Sequence, residues 1–196
     1  EILIDDVVNF YQNRNKSKSN IKSNEFCDSG NDDYATPENY NIKDGEDFGG
    51  FYTYDEMISE IDDMYTQYPT LISQRTDLKD NNYNVTPHIH ETYEGRFLQM
   101  VKISDNPNVD EDEPQILYTA LHHAREPGSM HQLIFFMWYL LENYDSNDSI
   151  KQIIDNSELY FVPCVNPDGY IYNETIEPSG GGMWRKNRRD NHGVDN

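Results

Sequence analysis

The fold is decided by residues 116–141, which have the sequence ILYTALHHAREPGSMHQLIFFMWYLL. The first six residues are mostly apolar and have the length of a buried strand. From Gly128 onward the apolar residues follow a helical period and form one broad stripe, made by Met130, Leu133, Ile134, Met137, Trp138 and Leu141. Pro127 suits the first turn of such a helix, where its missing N–H costs nothing. The stretch therefore predicts a strand, a turn and a helix.

A second apolar run, residues 159–165, comes after this helix and predicts a strand parallel to the first through a right-handed crossover. It leads into Asn166-Pro167-Asp168-Gly169, which is a strong turn signal. In open α/β sheets, functional sites lie outside the carboxyl ends of the strands. We therefore expect the turn at residues 122–126 and the turn at residues 166–169 to lie at one edge of the sheet.

Further elements are predicted on the amino-terminal side of this unit. Thr53 and Glu56 form a capping-box pattern that opens an amphipathic helix, which Pro69 ends. Residues 71–76 and 96–103 have the composition of two strands. Together the pattern predicts an α/β fold with a mixed, mostly parallel sheet flanked by helices.

His123 and Glu126 are the first candidate site residues. They place an imidazole and a carboxylate three residues apart at a strand-to-helix turn, where both side chains can point to one spot. Zinc accepts nitrogen and carboxylate ligands of this kind. Since a bare H-x-x-E pattern is common on protein surfaces, the hypothesis of a metal site depends on the predicted strand and helix around it.

Four basic residues lie within five positions at residues 185–189, in a chain that has only 15 Lys and Arg and a formal net charge of −21. One interpretation is a solvated loop that balances nearby acidic groups. The other is a guanidinium that polarises a carbonyl or holds a carboxylate beside the metal. The acidic charge argues against a nucleic-acid partner, because phosphate binding requires a basic face.

Residues 1–46 are rich in Asn, Ser, Asp and Lys, and only a short stretch near residues 3–11 has a helix-like pattern. This composition is typical of a linker or tail. No apolar run has membrane-spanning length, and no signal peptide is visible. Cys27 and Cys164 do not indicate a disulfide framework, and Cys164 is expected to be a small buried apolar residue at the end of a strand.

Four motifs occur in order: LHHAREP, VPCVNPDGY, GGGMWRKNRR and GVD. Their combination resembles the zinc metallocarboxypeptidase family of carboxypeptidases A, B and T, with the greatest likeness to secreted bacterial enzymes similar to carboxypeptidase T. The similarity extends from about Gly49 to the last residue. It implies an α/β/α sandwich, cut short at its carboxyl end, with residues 1–46 as a propeptide-like tail and residues 47–196 as the amino-terminal half of the catalytic domain.

The resemblance assigns a role to five residues. His123 and Glu126 match zinc ligands, and Arg125 matches an arginine of an outer substrate subsite. Arg185 matches the arginine that polarises the scissile carbonyl, so it serves both catalysis and substrate binding. Asp195 matches an aspartate that hydrogen-bonds the ligand histidine and fixes its orientation. The implied reaction is removal of C-terminal amino acids from peptides or proteins by water that a single zinc ion activates.

The sequence departs from the family pattern because it ends at Asn196. The third zinc ligand, a downstream histidine, and the general-base glutamate are expected beyond that point, so we expect an incomplete fragment that is inactive alone. His122 is expected to be structural. The remaining histidines do not fit the missing role: His88, His90, His131 and His192.

Several alternatives stay open at this point. The complete protein is either an active enzyme, a non-catalytic homologue used for binding or scaffolding, or a related zinc amidase acting on cell-wall peptides or acyl-amino acids. The acidic run at residues 110–113 is either a calcium site or, as its spacing favours, a solvated loop. The resemblance further implies a secreted protein that is monomeric when complete.

Overall fold

The computed structural model of this chain describes residues 35–41, 48–78 and 91–189. All the helices and strands given below belong to the unit Thr36–Asn196. The predictions for residues 1–34, among them the helix-like stretch and Cys27, lie outside the described residues, as do His88, His90, His192 and Asp195. A short 3₁₀ turn at Phe48–Gly50 precedes the first helix.

Four helices and four strands make up the regular structure of the described chain. In chain order they are α1 (Tyr54–Gln67), β1 (Thr76–Asp77), β2 (Gln99–Ile103), β3 (Gln115–Thr119), α2 (Gly128–Asn143), α3 (Asp148–Ile154), β4 (Glu158–Val162) and α4 (Pro167–Ile176). The four strands form one open sheet in the order β1-β2-β4-β3. The helices and the mixed sheet confirm the predicted α/β class.

The sheet is mixed, as predicted, but its described part is not mostly parallel. β3 and β4 pair in parallel, with Leu117 opposite Tyr160. β2 pairs antiparallel with β4, and β1 pairs antiparallel with β2. Antiparallel strand pairs therefore outnumber parallel ones among the described strands. The β3-α2-α3-β4 connection supplies the long crossover that the parallel pair requires.

The strands are shorter than their apolar patterns indicated. The predicted strand at 71–76 is reduced to the two residues of β1 and an isolated antiparallel bridge between Ile72 and Ile103. Strand β3 ends at Thr119, and Ala120 and Leu121 belong to the turn that comes next. Apolar residues just outside these strands, Leu71, Ile72, Ala120 and Leu121, are buried. Periodicity cannot distinguish such burial from strand formation.

The predicted capping box of α1 is confirmed, as is most of the predicted buried stripe of α2. Thr53 accepts from the backbone N–H of Glu56, and the Glu56 carboxylate accepts from the backbone N–H of Thr53, so both halves of the capping box are present. Met57, Ile61 and Met64 form the buried face of α1. On α2 the buried residues include most of the predicted stripe: Met130, Ile134, Met137, Trp138 and Leu141.

The predicted turn at residues 166–169 is in fact the start of a helix. Asn166 is the N-cap of α4, its side chain accepts from the backbone N–H of Gly169, and Pro167 occupies the first turn. The same residues that favour a turn also suit a helix N-terminus, where proline needs no N–H partner. Helix α3, which the side chain of Asn147 caps, was not predicted from the sequence.

The core lies between the helices and one face of the sheet. Tyr118 stacks on Phe161 across β3 and β4, with ring centroids 5.0 Å apart, and Phe136 of α2 packs edge-on against Tyr118. The indole N–H of Trp138 donates to Glu60 of α1 at 2.7 Å and ties the two long helices together. Cys164 is buried as expected and is a free thiol.

The opposite side of the sheet is partly uncovered. Leu117 of β3 is 63% exposed, and a groove of about 810 Å³ opens beside it, between β1 and β3. The other apolar lining residues include Leu78, Met100, Ile116 and Tyr160. Within the described ranges, none of the helices is long and apolar enough to cross a membrane.

Candidate metal centre

The candidate site begins where β3 ends. Leu121 has a positive φ of 51°, a conformation that is unfavourable for a branched side chain. It is held there by burial and by its backbone hydrogen bonds: its N–H donates to Ser129 Oγ at 3.0 Å, and its carbonyl accepts from the N–H of Asn166 at 3.0 Å. Ser129 Oγ in turn donates to the carbonyl of Glu126. The chain therefore makes a sharp turn directly before the candidate ligands.

His123 and Glu126 lie together on this turn. Nδ1 of His123 is 2.9 Å from Oε2 of Glu126, and the backbone N–H of Glu126 donates to the carbonyl of His123 at 3.1 Å. Zinc bond lengths of about 2.0–2.2 Å place neighbouring ligand atoms of a tetrahedral site roughly 3.4 Å apart. The observed separation is close to that value, so the pair fits one zinc ion after a small side-chain rotation.

Arg185 reaches the same place from the far end of the chain. Its Nη2 lies 3.1 Å from Nδ1 of His123, and its Nε lies 3.8 Å from a carboxylate oxygen of Glu126. Its carbonyl accepts from the backbone N–H of Ala124 at 2.9 Å. The structure thus brings together the imidazole, the carboxylate and the guanidinium that the sequence marked as candidates, across 62 residues of separation.

Nδ1 of His123 can satisfy only one of its neighbours at a time. An imidazole nitrogen without a proton has a single lone pair, which either accepts from Arg185 or binds a metal. When a metal uses that lone pair, Nη2 of Arg185 no longer donates to it and can donate to an oxygen atom instead. The arrangement therefore suits a guanidinium that binds an oxygen atom next to the metal.

Arg125 lies apart from this group. Its side chain is exposed and borders a small pocket of about 160 Å³ that Ala124 and Pro127 also line. The remaining lining residues are mostly apolar or small, among them Phe48, Phe51, Tyr170, Gly181 and Gly182. His122 is exposed, and its carbonyl accepts from the side chain of Asn166 at 3.2 Å. Asp195, the predicted partner of the ligand histidine, lies outside the described residues.

The cluster of basic residues divides into parts with different surroundings. The Arg188 guanidinium lies away from His123, 3.7 Å above the ring of Tyr172 and 4.5 Å from that of Trp184, and its Nε donates to Glu94 at 3.3 Å. Arg189 is exposed. Arg188 and Arg189 therefore fit the interpretation of a solvated loop, whereas Arg185 lies beside His123 and Glu126 and its action on a substrate stays a prediction.

Asp168 is a buried carboxylate that was predicted only as part of a turn. It is 3% exposed and accepts from Thr92 Oγ1 at 2.7 Å, from the backbone N–H of Glu94 at 2.9 Å and from Nη1 of Arg96 at 2.7 Å. These contacts tie residues 92–96 to the start of α4. An acidic residue directly after Asn-Pro is typical of a helix N-terminus, but nothing in the local sequence indicates the distant partners of this carboxylate.

Asp105, Glu111 and Glu113 form a separate group of carboxylates. Oxygen atoms of Asp105, Glu111 and Glu113 lie within 4.8 Å of one another, and one carboxylate oxygen each of Glu111 and Glu113 is buried without a hydrogen-bond partner. Burial and the neighbouring acidic groups raise the pKa of Glu113. Among the described residues this is the one group of three or more His, Cys, Asp or Glu side chains that could hold an ion. The described residues therefore supply no third ligand of these types beside His123 and Glu126.

Comparison with known proteins identifies the family of this chain. Residues 74–196 match the model of the zinc carboxypeptidase family. This chain belongs to that family. A zinc carboxypeptidase of Saccharothrix mutabilis subsp. capreolus is 33% identical over 144 residues, which are 74% of the present chain and 30% of that protein. An inactive metallocarboxypeptidase of Saccharomyces cerevisiae is 32% identical over 143 residues, or 71% of this chain and 31% of that protein.

The fold of this zinc carboxypeptidase chain also has solved counterparts. Carboxypeptidase A from Helicoverpa armigera superposes with a TM-score of 0.56 at 22% identity, over 75% of this chain and 31% of that one. The chain thus spans about a third of the length of the relatives it matches. The family resemblance inferred from the four motifs is confirmed, and so is the mixed α/β fold.

Proposed function

We propose that the protein containing this chain is a zinc-dependent metallocarboxypeptidase that removes C-terminal amino acids from peptides or proteins. The observation that carries the proposal is the meeting of His123, Glu126 and Arg185 within hydrogen-bonding or ion-pairing distance at the carboxyl end of β3. Family membership supports a hydrolase that uses zinc.

In this proposal His123 Nδ1 and a carboxylate oxygen of Glu126 hold the zinc ion. A catalytic zinc takes three protein ligands and keeps one position open, and the described residues supply two of the three. We propose that the third, and the general-base glutamate, come from a part of the protein that this chain does not include. When bound, zinc lowers the pKa of water and polarises the substrate carbonyl.

The chain's own residues position the substrate and stabilise charge. Arg185, 3.1 Å from the ligand nitrogen, donates to the scissile carbonyl oxygen as negative charge develops on it. Arg125, exposed beside its small pocket, binds the peptide farther from the cleaved bond. Asp195 is proposed to hydrogen-bond His123 and hold its ring in the orientation that the metal requires.

Hydrolysis by the complete, zinc-loaded protein tests this proposal. The expected result is stepwise release of single residues from a peptide with a free C-terminal carboxylate, no release from the same peptide with an amidated C-terminus, and loss of activity on chelation of zinc. Cleavage of acyl-amino acids or cell-wall peptides alone would instead support the zinc amidase.

A non-catalytic family member is the second candidate. The inactive yeast metallocarboxypeptidase is about as similar to this chain as the Saccharothrix zinc carboxypeptidase, at 32% against 33% identity, so similarity over this region does not distinguish the two. Stoichiometric zinc without hydrolysis of any free C-terminus would favour this alternative.

The location and assembly of the protein are part of the proposal. We propose a secreted monomer with residues 1–46 as a propeptide-like tail, on the basis of the family resemblance and the tail's polar composition. Size-exclusion chromatography and detection of the processed protein outside the cell test these points.

Calcium at Asp105, Glu111 and Glu113 stays a prediction, which calorimetric titration of the wild type and the Glu113→Gln variant would test.

A further inference from the structure

Asn173 joins the two halves of the candidate site without touching either metal ligand. It lies on α4, is 2% exposed and uses both ends of its side-chain amide. Nδ2 donates to the carbonyl of Ala124 at 2.9 Å and to the carbonyl of Trp184 at 2.8 Å, and Oδ1 accepts from the N–H of Trp184 at 2.9 Å. Ala124 comes directly after His123 in the chain and Trp184 precedes Arg185, so one amide holds the backbone next to both.

The bridged region is closely packed. A Cβ atom at Gly182 would lie 2.6 Å from Oδ1 of Asn173, and one at Gly169 would lie 2.7 Å from the carbonyl oxygen of Lys186 and 2.8 Å from Cβ of Ala124. Real Cβ atoms do not approach so closely, so glycine at these two positions allows α4, the turn and the Arg185 segment to meet. Asn173 therefore has little freedom to take another position.

The Arg185 segment depends on such contacts because it has no regular secondary structure. Residues 181–189 contain neither helix nor strand, so no ladder of backbone hydrogen bonds sets their position. The backbone of Trp184 is held by Asn173, and that of Arg185 by the N–H of Ala124 at 2.9 Å. Removing the amide would leave two carbonyls and one N–H without this partner in a buried region, which is costly.

We propose that Asn173 is a positioning residue, which fixes the distance between the His123–Glu126 turn and the Arg185 guanidinium. The inference rests on the proposed function, because it assigns to Asn173 the placement of an arginine that acts on the substrate carbonyl. A displacement of Arg185 by as little as about 1 Å can cost on the order of 100-fold in rate.

Kinetics of the complete, zinc-loaded protein test the proposal. Asn173→Ala is expected to lower kcat by roughly 10- to 100-fold and to leave KM nearly unchanged, since the misplaced group acts mainly in the transition state. Asn173→Thr, which keeps one hydroxyl donor, should recover part of kcat. The matched control is Asn156→Ala, which removes an exposed hydrogen bond from the side-chain amide to the carbonyl of Gln152 and should retain full activity.

A double-mutant cycle separates positioning from general destabilisation. If Asn173 acts through Arg185, Asn173→Ala should cost little further kcat in an Arg185→Ala background, and the two losses should not add. Fully additive losses, or a fall in kcat equal to the fall in folded fraction, would overturn the proposal.

Hydrogen exchange gives a readout that does not require activity. The N–H groups of Trp184 and Ala124 should lose protection in Asn173→Ala while those of β4 keep theirs. Unchanged protection would overturn the inference. An inactive wild-type protein would contradict the proposed function, and the exchange measurement would still decide whether Asn173 holds the two halves together.

Discussion

The two halves of the site are held in different ways. The turn that carries His123 and Glu126 lies between β3 and α2, and its backbone bonds include ones of short sequence range, such as Glu126 N–H to the His123 carbonyl. The segment that carries Arg185 has no helix or strand, and its contacts reach Asn173 and Ala124 on distant elements. The contact between the two candidate ligands is thus made within one turn, although that turn is also tied to Asn166 and Asn173, whereas the placement of the arginine depends on tertiary packing.

Replacing His123 should have the largest effect, because it removes half of the ligand pair on the locally built side. His123→Ala in the complete protein is expected to abolish stoichiometric zinc and all exopeptidase activity. Zinc content after dialysis and peptide hydrolysis measure this. His122→Ala is the matched control, and it should keep both. Equal loss in the two variants would show that the ligand has been assigned to the wrong histidine.

The second prediction concerns the stability of the fold at acid pH, which depends on Glu158 of β4. Burial would raise the pKa of Glu158, but hydrogen bonds from Lys102 at 2.6 Å, the Glu111 N–H and Gln115 outweigh it and lower the pKa to about 2. A carboxyl group with a depressed pKa in the folded state contributes stability above its ordinary pKa of 4.5, and loses it as the pH falls from there towards about 2.

Glu158→Gln isolates this contribution. The variant leaves Lys102 buried without its counter-charge, so the free energy of unfolding near neutral pH should fall by about 3–5 kcal/mol, and its further decline below pH 4.5 should be shallower than in the wild type. Urea unfolding across the pH range measures both. Asp155→Asn, which breaks the more exposed pair with Lys151, is the control and should cost far less stability. Equal losses in both variants would contradict the burial argument.

Arg185→Ala is the third prediction and addresses the side built by tertiary contacts. If the guanidinium has the proposed role of stabilising charge that is present mainly in the transition state, the variant should lower kcat by about 100-fold or more, with a small change in KM. Steady-state kinetics measure the split, and Arg189→Ala, at an exposed position, is the control. A change confined to KM would make Arg185 a residue for ground-state binding instead.

The same contrast explains how much the sequence could predict. The capping box of Thr53 and Glu56, the buried stripe of α2 and the approach of His123 to Glu126 depend on residues within a few positions of one another, and each was predictable. The family motifs placed Arg185 at the site as well. Its contact with Nδ1 of His123 has no local signal, because it depends on how α4 packs against the turn.

The errors have a shared cause. Asn-Pro-Asp-Gly satisfies both a turn and a helix N-terminus, and the residues after Gly169 decide between them; here Tyr170 and Asn173 are buried on one side of α4. The buried carboxylate of Asp168 and the amide of Asn173 were missed because their partners, such as Arg96 and Ala124, are 72 and 49 residues away. Polar residues whose partners are distant carry no periodic pattern.

A glycine comparison gives the smallest expected effect. Gly169→Ala forces a Cβ against Lys186 and Ala124, so it should destabilise the fold by about 1–3 kcal/mol through overpacking. Gly128→Ala, where a Cβ would meet nothing within 4 Å at the start of α2, should be neutral or stabilising by up to about 1 kcal/mol. Chemical denaturation measures both. Similar values for the two variants would show that the meeting of α4 with the turn is not closely packed.

Anomalous diffraction from crystals of the complete protein, recorded at the zinc edge, locates the metal without reference to activity. We expect one zinc peak about 2.0–2.2 Å from both Nδ1 of His123 and a carboxylate oxygen of Glu126, with the Arg185 guanidinium facing the same space. A zinc peak at Asp105, Glu111 and Glu113 instead, or one that His123 and Glu126 do not share, would contradict the assignment of the metal centre to the turn after β3.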